Sequence, residues 1–131
     1  MMYVLDTNTL IYYFKGVGRV AEHLLAKAPQ DIAIPSIVVY ELEYGIAKST
    51  APEKRRYQLA ELCSLVQIIG FDARTASCAA GVRASLESKG QVIGPYDLLI
   101  AGSALAVSGV LVTHNTAEFS RVNGLLLEDW F

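Results

Sequence analysis

The chain has 131 residues, of which 53% are hydrophobic and 18% charged, and its formal net charge is -2. This length suits one domain, predicted over residues 1–131, and the composition excludes a disordered chain. No apolar run approaches the ~20 residues of a membrane-spanning helix, so we predict no membrane association. Asp6 and Lys15 interrupt the N-terminal apolar stretch, which argues against a signal peptide and favours a cytoplasmic location.

Short apolar runs alternate with helix-length segments along the whole chain. The runs, which are mostly rich in Val, Ile or Leu, are residues 2–5, 32–34, 66–69, 109–112 and 125–127. Alternation of this kind predicts an α/β fold in which a parallel sheet is covered by helices on both faces. The five runs predict a sheet of about five strands.

Helix-start and helix-stop residues place the intervening helices. We predict helices over residues 36–48, from Pro52, over 72–90 and from Pro95 to Gly109, with caps at Ser36 and Asp72. The last of these is apolar almost all round, which predicts that it is buried.

Asp6 directly follows the first predicted strand, in "YVLDTNTLIYYFK". Open parallel sheets bind ligands at the carboxyl ends of their strands, so this carboxylate lies on the ligand-binding edge. A second interpretation is that Asp6, Thr7 or Asn8 only caps the following helix. This stretch alone favours the capping role. The other acids described below favour the ligand-binding role instead.

Two acids lie on the helix of "SIVVYELEYGIAK". Glu41 and Glu43 are about 200° apart around a helix, so they cannot serve the same site. Apolar residues flank both positions, and periodicity does not choose between them. Gly45 lies one turn beyond Glu41 and permits close backbone approach on that side.

Asp97 occupies the first turn of the apolar helix, in "VIGPYDLLIAG". The helix dipole alone favours an acid at this position. However, the apolar residues that follow predict an interior location, where an ionised carboxylate needs a partner such as a cation.

The stretch "VLVTHNTAEF" places Thr113, His114 and Asn115 after a late strand, on the same edge. Asn115 and Glu118 have the spacing of a capping box, so helix initiation alone can explain the pair. We expect His114 to be a structural or rim residue, since no second His or nucleophile accompanies it.

Carboxylates from at least three segments are thus predicted to converge at one edge. Acids at close quarters repel one another, and a divalent cation relieves this repulsion. Oxygen ligands without His or Cys favour Mg²⁺ or Mn²⁺ over zinc. Such a site suits hydrolysis of a phosphodiester.

These motifs together resemble a known family. "LDTN", "ELEYG", "GPYDLLIAG", "LVTHNTAEF" and the C-terminal "EDW" are similar to the PIN-domain ribonucleases, and more narrowly to the VapC toxins of bacterial toxin–antitoxin pairs. The resemblance implies a three-layer α/β/α sandwich with a central parallel sheet. It implies catalytic residues at Asp6, Glu41, Asp97 and Asn115, metal ligands at Asp6, Glu41 and Asp97, and supporting roles for Thr7 and Glu118. Asn115 stands at a position that is often Asp in the wider family, so the site has one formal negative charge fewer.

The resemblance also implies an activity and partners. It implies Mg²⁺-dependent cleavage of structured RNA, notably tRNA in the anticodon stem-loop, with Mn²⁺ able to substitute. It further implies a homodimer and a tight complex with a small VapB-type antitoxin whose C-terminal segment blocks the site.

The one local basic cluster consists of Lys48, Lys54, Arg55 and Arg56. Contact with RNA phosphates and a simply solvated helix face are equally compatible with it. Arg83, Lys89 and Arg121 are weaker candidates for such contact.

Two rival functions are weighed against a nuclease. A phosphotransferase of the haloacid dehalogenase type needs a second Asp two positions after the first, where this chain has Asn8. A PIN-like module that binds RNA or protein without cutting is favoured only by Asn115, and retention of the other acids argues against it.

Overall fold

A computed structural model describes all 131 residues, and its elements follow the predicted alternation of strands and helices. A 3₁₀ turn at Pro29–Asp31 precedes the second strand. The elements are β1 (Tyr3–Leu5), α1 (Thr7–Lys15), α2 (Val20–Leu25), β2 (Ile32–Pro35), α3 (Ser36–Ala47), α4 (Glu53–Leu65), β3 (Gln67–Ile69), α5 (Ala73–Ser88), α6 (Pro95–Ala106), β4 (Val110–Val112), α7 (Thr116–Phe119) and β5 (Leu126–Glu128).

The five strands form one sheet in the order β3-β2-β1-β4-β5, and every pair is parallel. In the central strand, Val4 pairs with Ala33 of β2 on one side and with Leu111 of β4 on the other. The chain moves outward from β1 to β3 and then crosses back to β4. The switch in strand order therefore lies at β1, whose carboxyl end is where ligands bind in such sheets.

Both faces of the central strands are covered, whereas the edge strands β3 and β5 are more exposed. Val4 and Leu5 point to opposite faces because they are consecutive in a strand, yet both are fully buried. The same holds for Ala33 and Ile34 in β2. The α/β fold with a central parallel sheet of five strands is thus confirmed, and the rigid centre of the sheet carries Asp6 at its end.

The predicted helix starts are mostly correct. Asp72 caps α5, with Oδ1 accepting a hydrogen bond of 2.9 Å from the Thr75 amide. The prediction that Ser36 caps α3 is wrong: Ser36 is the first helical residue, and Pro35 occupies the cap position without a side-chain bond. Pro35 has φ -61° and ψ 143°, so the chain passes from strand to helix without an intervening polar residue.

Helix α6 is buried as predicted and packs closely on α5. A Cβ at Gly102 would lie 2.6 Å from the Cβ of Ala79, so only glycine permits this approach. The contact fixes the position of α6 and therefore also the position of its first turn, which carries Asp97. Although α6 is apolar, neither it nor any other helix is long and apolar enough to cross a membrane.

Candidate active site at the carboxyl edge of the sheet

Asp6 is both a helix cap and a buried acid. It is only 5% exposed, and its Oδ1 accepts a hydrogen bond of 2.9 Å from the Thr9 amide at the start of α1. Burial raises the pKa of Asp6; hydrogen bonds from Thr113 and Thr9 offset part of this rise, and the nearby charge of Asp129 adds to it. The capping role is thus observed, and the burial of the carboxylate is compatible with the ligand-binding role that the sequence also predicted.

Glu41 reaches the same edge from α3. Thr7 donates a hydrogen bond of 2.7 Å from Oγ1 to Oε1 of Glu41, which joins the first turn of α1 to the middle of α3. Glu41 is half-buried, whereas Glu43 is exposed. Of the two acids on α3, the structure thus places Glu41 beside Thr7 at this edge, and its catalytic role stays a prediction.

Asp97 lies in the first turn of α6 and is half-buried. Burial and the neighbouring carboxylates of Glu118, Asp6 and Glu41 raise the pKa of Asp97 to about 6, with burial the largest cause and Glu118 the next. Carboxylates from three other segments therefore act on one acid. This convergence was the central expectation from the sequence.

Glu118 and Asn115 are connected differently from the predicted capping box. The Asn115 side chain makes no cap bond; its Nδ2 donates to Oε2 of Glu118 at 2.8 Å. The other carboxylate oxygen, Oε1, accepts the amide of Gly94 at 3.1 Å, directly before α6. These two bonds lower the pKa of Glu118, with the Gly94 amide the larger cause. Glu118 therefore holds the start of α6 as well as acting on Asp97.

Asp129 is a further acid at this edge, which we did not identify from the sequence. It follows β5 and accepts the Phe131 amide at 2.9 Å, and its Oδ2 lies 2.9 Å from Nδ1 of His114. Burial alone would raise the pKa of Asp129, but the bonds from Phe131 and His114 outweigh it and lower the pKa. Glu128 separates Asp129 from the last apolar run, 125–127, so the sequence pattern did not single Asp129 out.

His114 lies on the rim, as expected. Its ring stacks on Phe131 with centroids 4.3 Å apart, and the edge of Tyr12 packs against both rings. It holds Asp129 and the C-terminal residues in place, which is a structural role.

The four predicted basic residues lie in different surroundings. Lys54 and Arg55 line a surface groove that Glu41 also lines. Nζ of Lys48 lies 4.9 Å from the centre of the Tyr44 ring, and Arg56 is exposed. The cluster is therefore divided between the groove and the outer surface.

The donor chemistry of the edge fits a hard divalent cation. The groups are carboxylate, amide and hydroxyl oxygens, and no Lys or Arg lies within 4.0 Å of the carboxylates of Asp6, Glu41, Asp97 or Glu118. The structure does not gather three of these acids into one compact ligating group. Their mutual repulsion, seen at Asp97, is the feature that a cation would relieve.

A family model described as "PIN domain" matches residues 3–125. The chain belongs to the PIN-domain family. Over 138 residues this PIN domain is 41% identical to ribonuclease VapC2 of Rickettsia felis, covering 99% of the chain and 98% of the relative. It is 35% identical over 130 residues to the tRNA(fMet)-specific endonuclease VapC of Salmonella typhimurium, with the same coverage of 99% and 98%.

The fold of the PIN domain is also that of a solved complex. A chain in the crystal structure of VapBC2 from Rickettsia felis, bound to a DNA fragment from their promoter, matches with a TM-score of 0.92. The match has 40% sequence identity and covers 100% of both chains. The resemblance to VapC proteins is thus confirmed over the full length, and the haloacid dehalogenase alternative is set aside.

Proposed function

We propose that this chain is the ribonuclease toxin of a VapBC-type pair, and that it cuts structured RNA with the help of Mg²⁺ or Mn²⁺. The observation that carries the proposal is the environment of Asp97, on which the charges of Glu118, Asp6 and Glu41 converge without a basic side chain in contact. Such an arrangement is unfavourable in a purely structural site. The nuclease names of the full-length relatives support the same reading.

We assign the cation to Asp6, Glu41 and Asp97. When bound, it would supply an activated water and stabilise the negative charge that develops on the phosphate. The remaining residues hold these acids in place. Thr7 orients Glu41 through its hydroxyl, and Glu118, itself held by Gly94 and Asn115, fixes the start of α6.

Asn115 has a supporting role in this proposal. Its amide nitrogen is engaged by Glu118, so its carbonyl oxygen is the atom free to face a metal, a water or a phosphate. A carbonyl oxygen neutralises a cation less than a carboxylate does. One cation at the three acids is therefore the simplest occupancy.

The substrate and partners follow from the relatives by analogy. The Salmonella typhimurium relative is named for tRNA(fMet), and we propose tRNA, cut in the anticodon stem-loop, as the substrate class here. The VapBC2 complex of Rickettsia felis supports a VapB-type antitoxin as the partner, and homodimerisation remains a prediction. An arginine of such a partner would pair with the exposed oxygens of the acids.

The experiment that tests the proposal is sequencing of RNA 5′ ends after brief induction of the chain in cells. The wild type should produce new ends at few positions and arrest growth. Asp97→Asn should produce none, while the control Glu43→Gln, an exposed acid on the opposite side of α3, should behave as wild type. New ends that persist unchanged in Asp97→Asn would contradict the proposal.

A binding-only role is the competing function, and Asn115 is the observation in its favour. It predicts growth arrest without new RNA ends. The same sequencing experiment therefore separates the two functions.

A further inference from the structure

A surface groove of about 280 Å³ opens beside Glu41. It is formed by α1, α3, the connection that follows α3, and the start of α4. Its volume is near the lower end for small-ligand sites, which is roughly 300 Å³. Since Glu41 belongs to both, the groove is continuous with the candidate active site.

The walls of the groove combine an apolar surface with two cations. Ile11, Leu42 and Ile46 supply the apolar part, and Lys54 and Arg55 supply the charge. Neither cation lies within 4.0 Å of a carboxylate. Both charges are therefore available to an anionic ligand.

Arg55 is held in place without being neutralised. Its guanidinium lies 5.2 Å from the centre of the Phe14 ring, and Nη1 donates to Oε1 of Gln58 at 2.8 Å. These contacts leave further N–H groups of the planar fork free. A preorganised guanidinium with free donors is suited to a phosphate.

Gly45 keeps the groove open. It lines the groove, and a Cβ at this position would meet nothing within 4 Å. Its φ is not in the left-handed region, so backbone conformation does not require glycine here. The close backbone approach expected at Gly45 is therefore absent, and the missing side chain leaves this part of the groove open.

We propose that this groove is a subsite for the nucleotide next to the scissile phosphate of an RNA strand. Arg55 and Lys54 bind the phosphate of that nucleotide, and the apolar wall contacts its ribose or base. Phosphate charge, an apolar face and continuity with the acids are together what a nucleic-acid strand presents and an isolated anion does not. The inference rests on the proposed function and adds to it a defined binding position outside the acids.

The first test is steady-state cleavage of an RNA oligonucleotide that contains the site mapped in cells. Arg55→Gln should raise KM about tenfold and leave kcat nearly unchanged, since the charged hydrogen bond is made away from the reacting bond. Gln58→Ala should raise KM less, through poorer positioning of Arg55. The matched control is Lys15→Gln, which removes one exposed charge at the far end of α1.

Gly45→Leu separates binding from folding. The leucine side chain should fill the groove and raise KM, while its higher helix propensity should raise Tm. A loss of activity in a protein that has become more stable cannot come from misfolding.

The position of the subsite is tested with neutral methylphosphonate linkages placed one at a time around the cut. In the wild type, one linkage adjacent to the cut should raise KM by the same factor as Arg55→Gln. In Arg55→Gln that linkage should have no further effect. Identical profiles in both proteins, or wild-type KM values for both Arg55→Gln and Gly45→Leu, would overturn the proposal.

Two outcomes distinguish a failure of the subsite proposal from a failure of the proposed function. If the wild type cuts no RNA with Mg²⁺ or Mn²⁺, the proposed function fails. Binding of a single-stranded RNA oligonucleotide to the wild type and to Arg55→Gln, measured by fluorescence anisotropy, then still decides the subsite, because loss of one phosphate contact lowers the salt slope by about 0.7. If Arg55→Gln cleaves and binds RNA normally but a co-expressed antitoxin no longer neutralises it, the groove belongs to the protein partner and the proposal is overturned.

Discussion

The hydroxyl of Thr7 donates a hydrogen bond of 2.7 Å to the carboxylate of Glu41, and this bond joins the helix after β1 to the helix after β2. Asp6 immediately precedes Thr7 and is fixed by the end of the central strand. The bond therefore sets the position of Glu41 relative to a rigid part of the sheet.

If Glu41 is a metal ligand as proposed, replacement of Thr7 by Val should lower kcat/KM for RNA cleavage by about 10- to 100-fold, the usual effect of removing a group that orients such a ligand. The isosteric side chain keeps the packing and removes only the donor. Thr7→Ser keeps the donor and should retain most of the activity. Equal losses in Val and Ser variants, measured at saturating Mg²⁺, would show that the hydrogen bond is not the cause.

Asp97→Asn should stabilise the metal-free protein at neutral pH. The folded pKa of about 6 lies above the ordinary value of 3.8, so the ionised carboxylate destabilises the fold. This penalty is absent below pH 3.8 and complete above about pH 6, so the gain from Asn should grow across that window and persist at higher pH. We expect about 1 kcal/mol at pH 7.5 in EDTA, allowing for solvent screening of a half-exposed group.

Urea unfolding at pH 3.5 and 7.5 measures this difference. Asp72→Ala is a control for which the change in stability should have the opposite sign. Hydrogen bonds from Thr75 lower the pKa of Asp72, so its ionised form stabilises α5. That variant should lose stability at neutral pH, and the loss should shrink as pH falls below 3.8. A gain for Asp97→Asn that did not vary with pH would argue against carboxylate repulsion.

Much of this arrangement could be predicted from the sequence because it depends on local pattern. The strands of this parallel sheet appear as apolar runs, so the strand positions and the placement of Asp6 followed from the sequence alone. The first turn of α6 and the Asp72 cap depend on residues close in sequence, and both were correct. In contrast, the choice of Glu41 over Glu43 depends on which side of α3 faces Thr7, a tertiary contact.

Three features could not be predicted because the surrounding fold, and not the local motif, decides each of them. Asn115 and Glu118 have capping-box spacing, but Glu118 bonds to the distant Gly94, which competes for its carboxylate. Ser36 has the chemistry of a cap, but the chain enters α3 directly from Pro35. Asp129 acts on Asp6 only because β5 lies beside β4 in the sheet.

Asn115→Asp should destabilise the protein in EDTA and increase its response to Mg²⁺. The change replaces the donor to Glu118 by a second carboxylate at a position where the present contact is 2.8 Å. We expect a loss of about 1–3 kcal/mol without metal, since a hydrogen bond to a charged group is replaced by repulsion. Thermal unfolding with and without Mg²⁺ measures the difference, and Asn115→Ser, which adds no charge, should show no added response.

Gly102→Ala should lower the free energy of unfolding by about 1–3 kcal/mol, because the new methyl group overlaps Ala79 of α5. Gly81→Ala, on α5, is the matched control: a Cβ there meets nothing within 4 Å, so its helix propensity should add up to about 1 kcal/mol of stability. Guanidinium unfolding compares the two. Equal stability changes would show that the contact between α5 and α6 is looser than described.

The most direct test of a metal-dependent nuclease site is cleavage of tRNA by the purified protein in Mg²⁺, in Mn²⁺ and in EDTA. We predict cleavage by the wild type and by Glu43→Gln with either cation, none in EDTA, and at least a hundredfold loss for Asp6→Asn, Glu41→Gln and Asp97→Asn. Cleavage that continued in EDTA, or that survived in all three variants at the wild-type rate, would contradict the account.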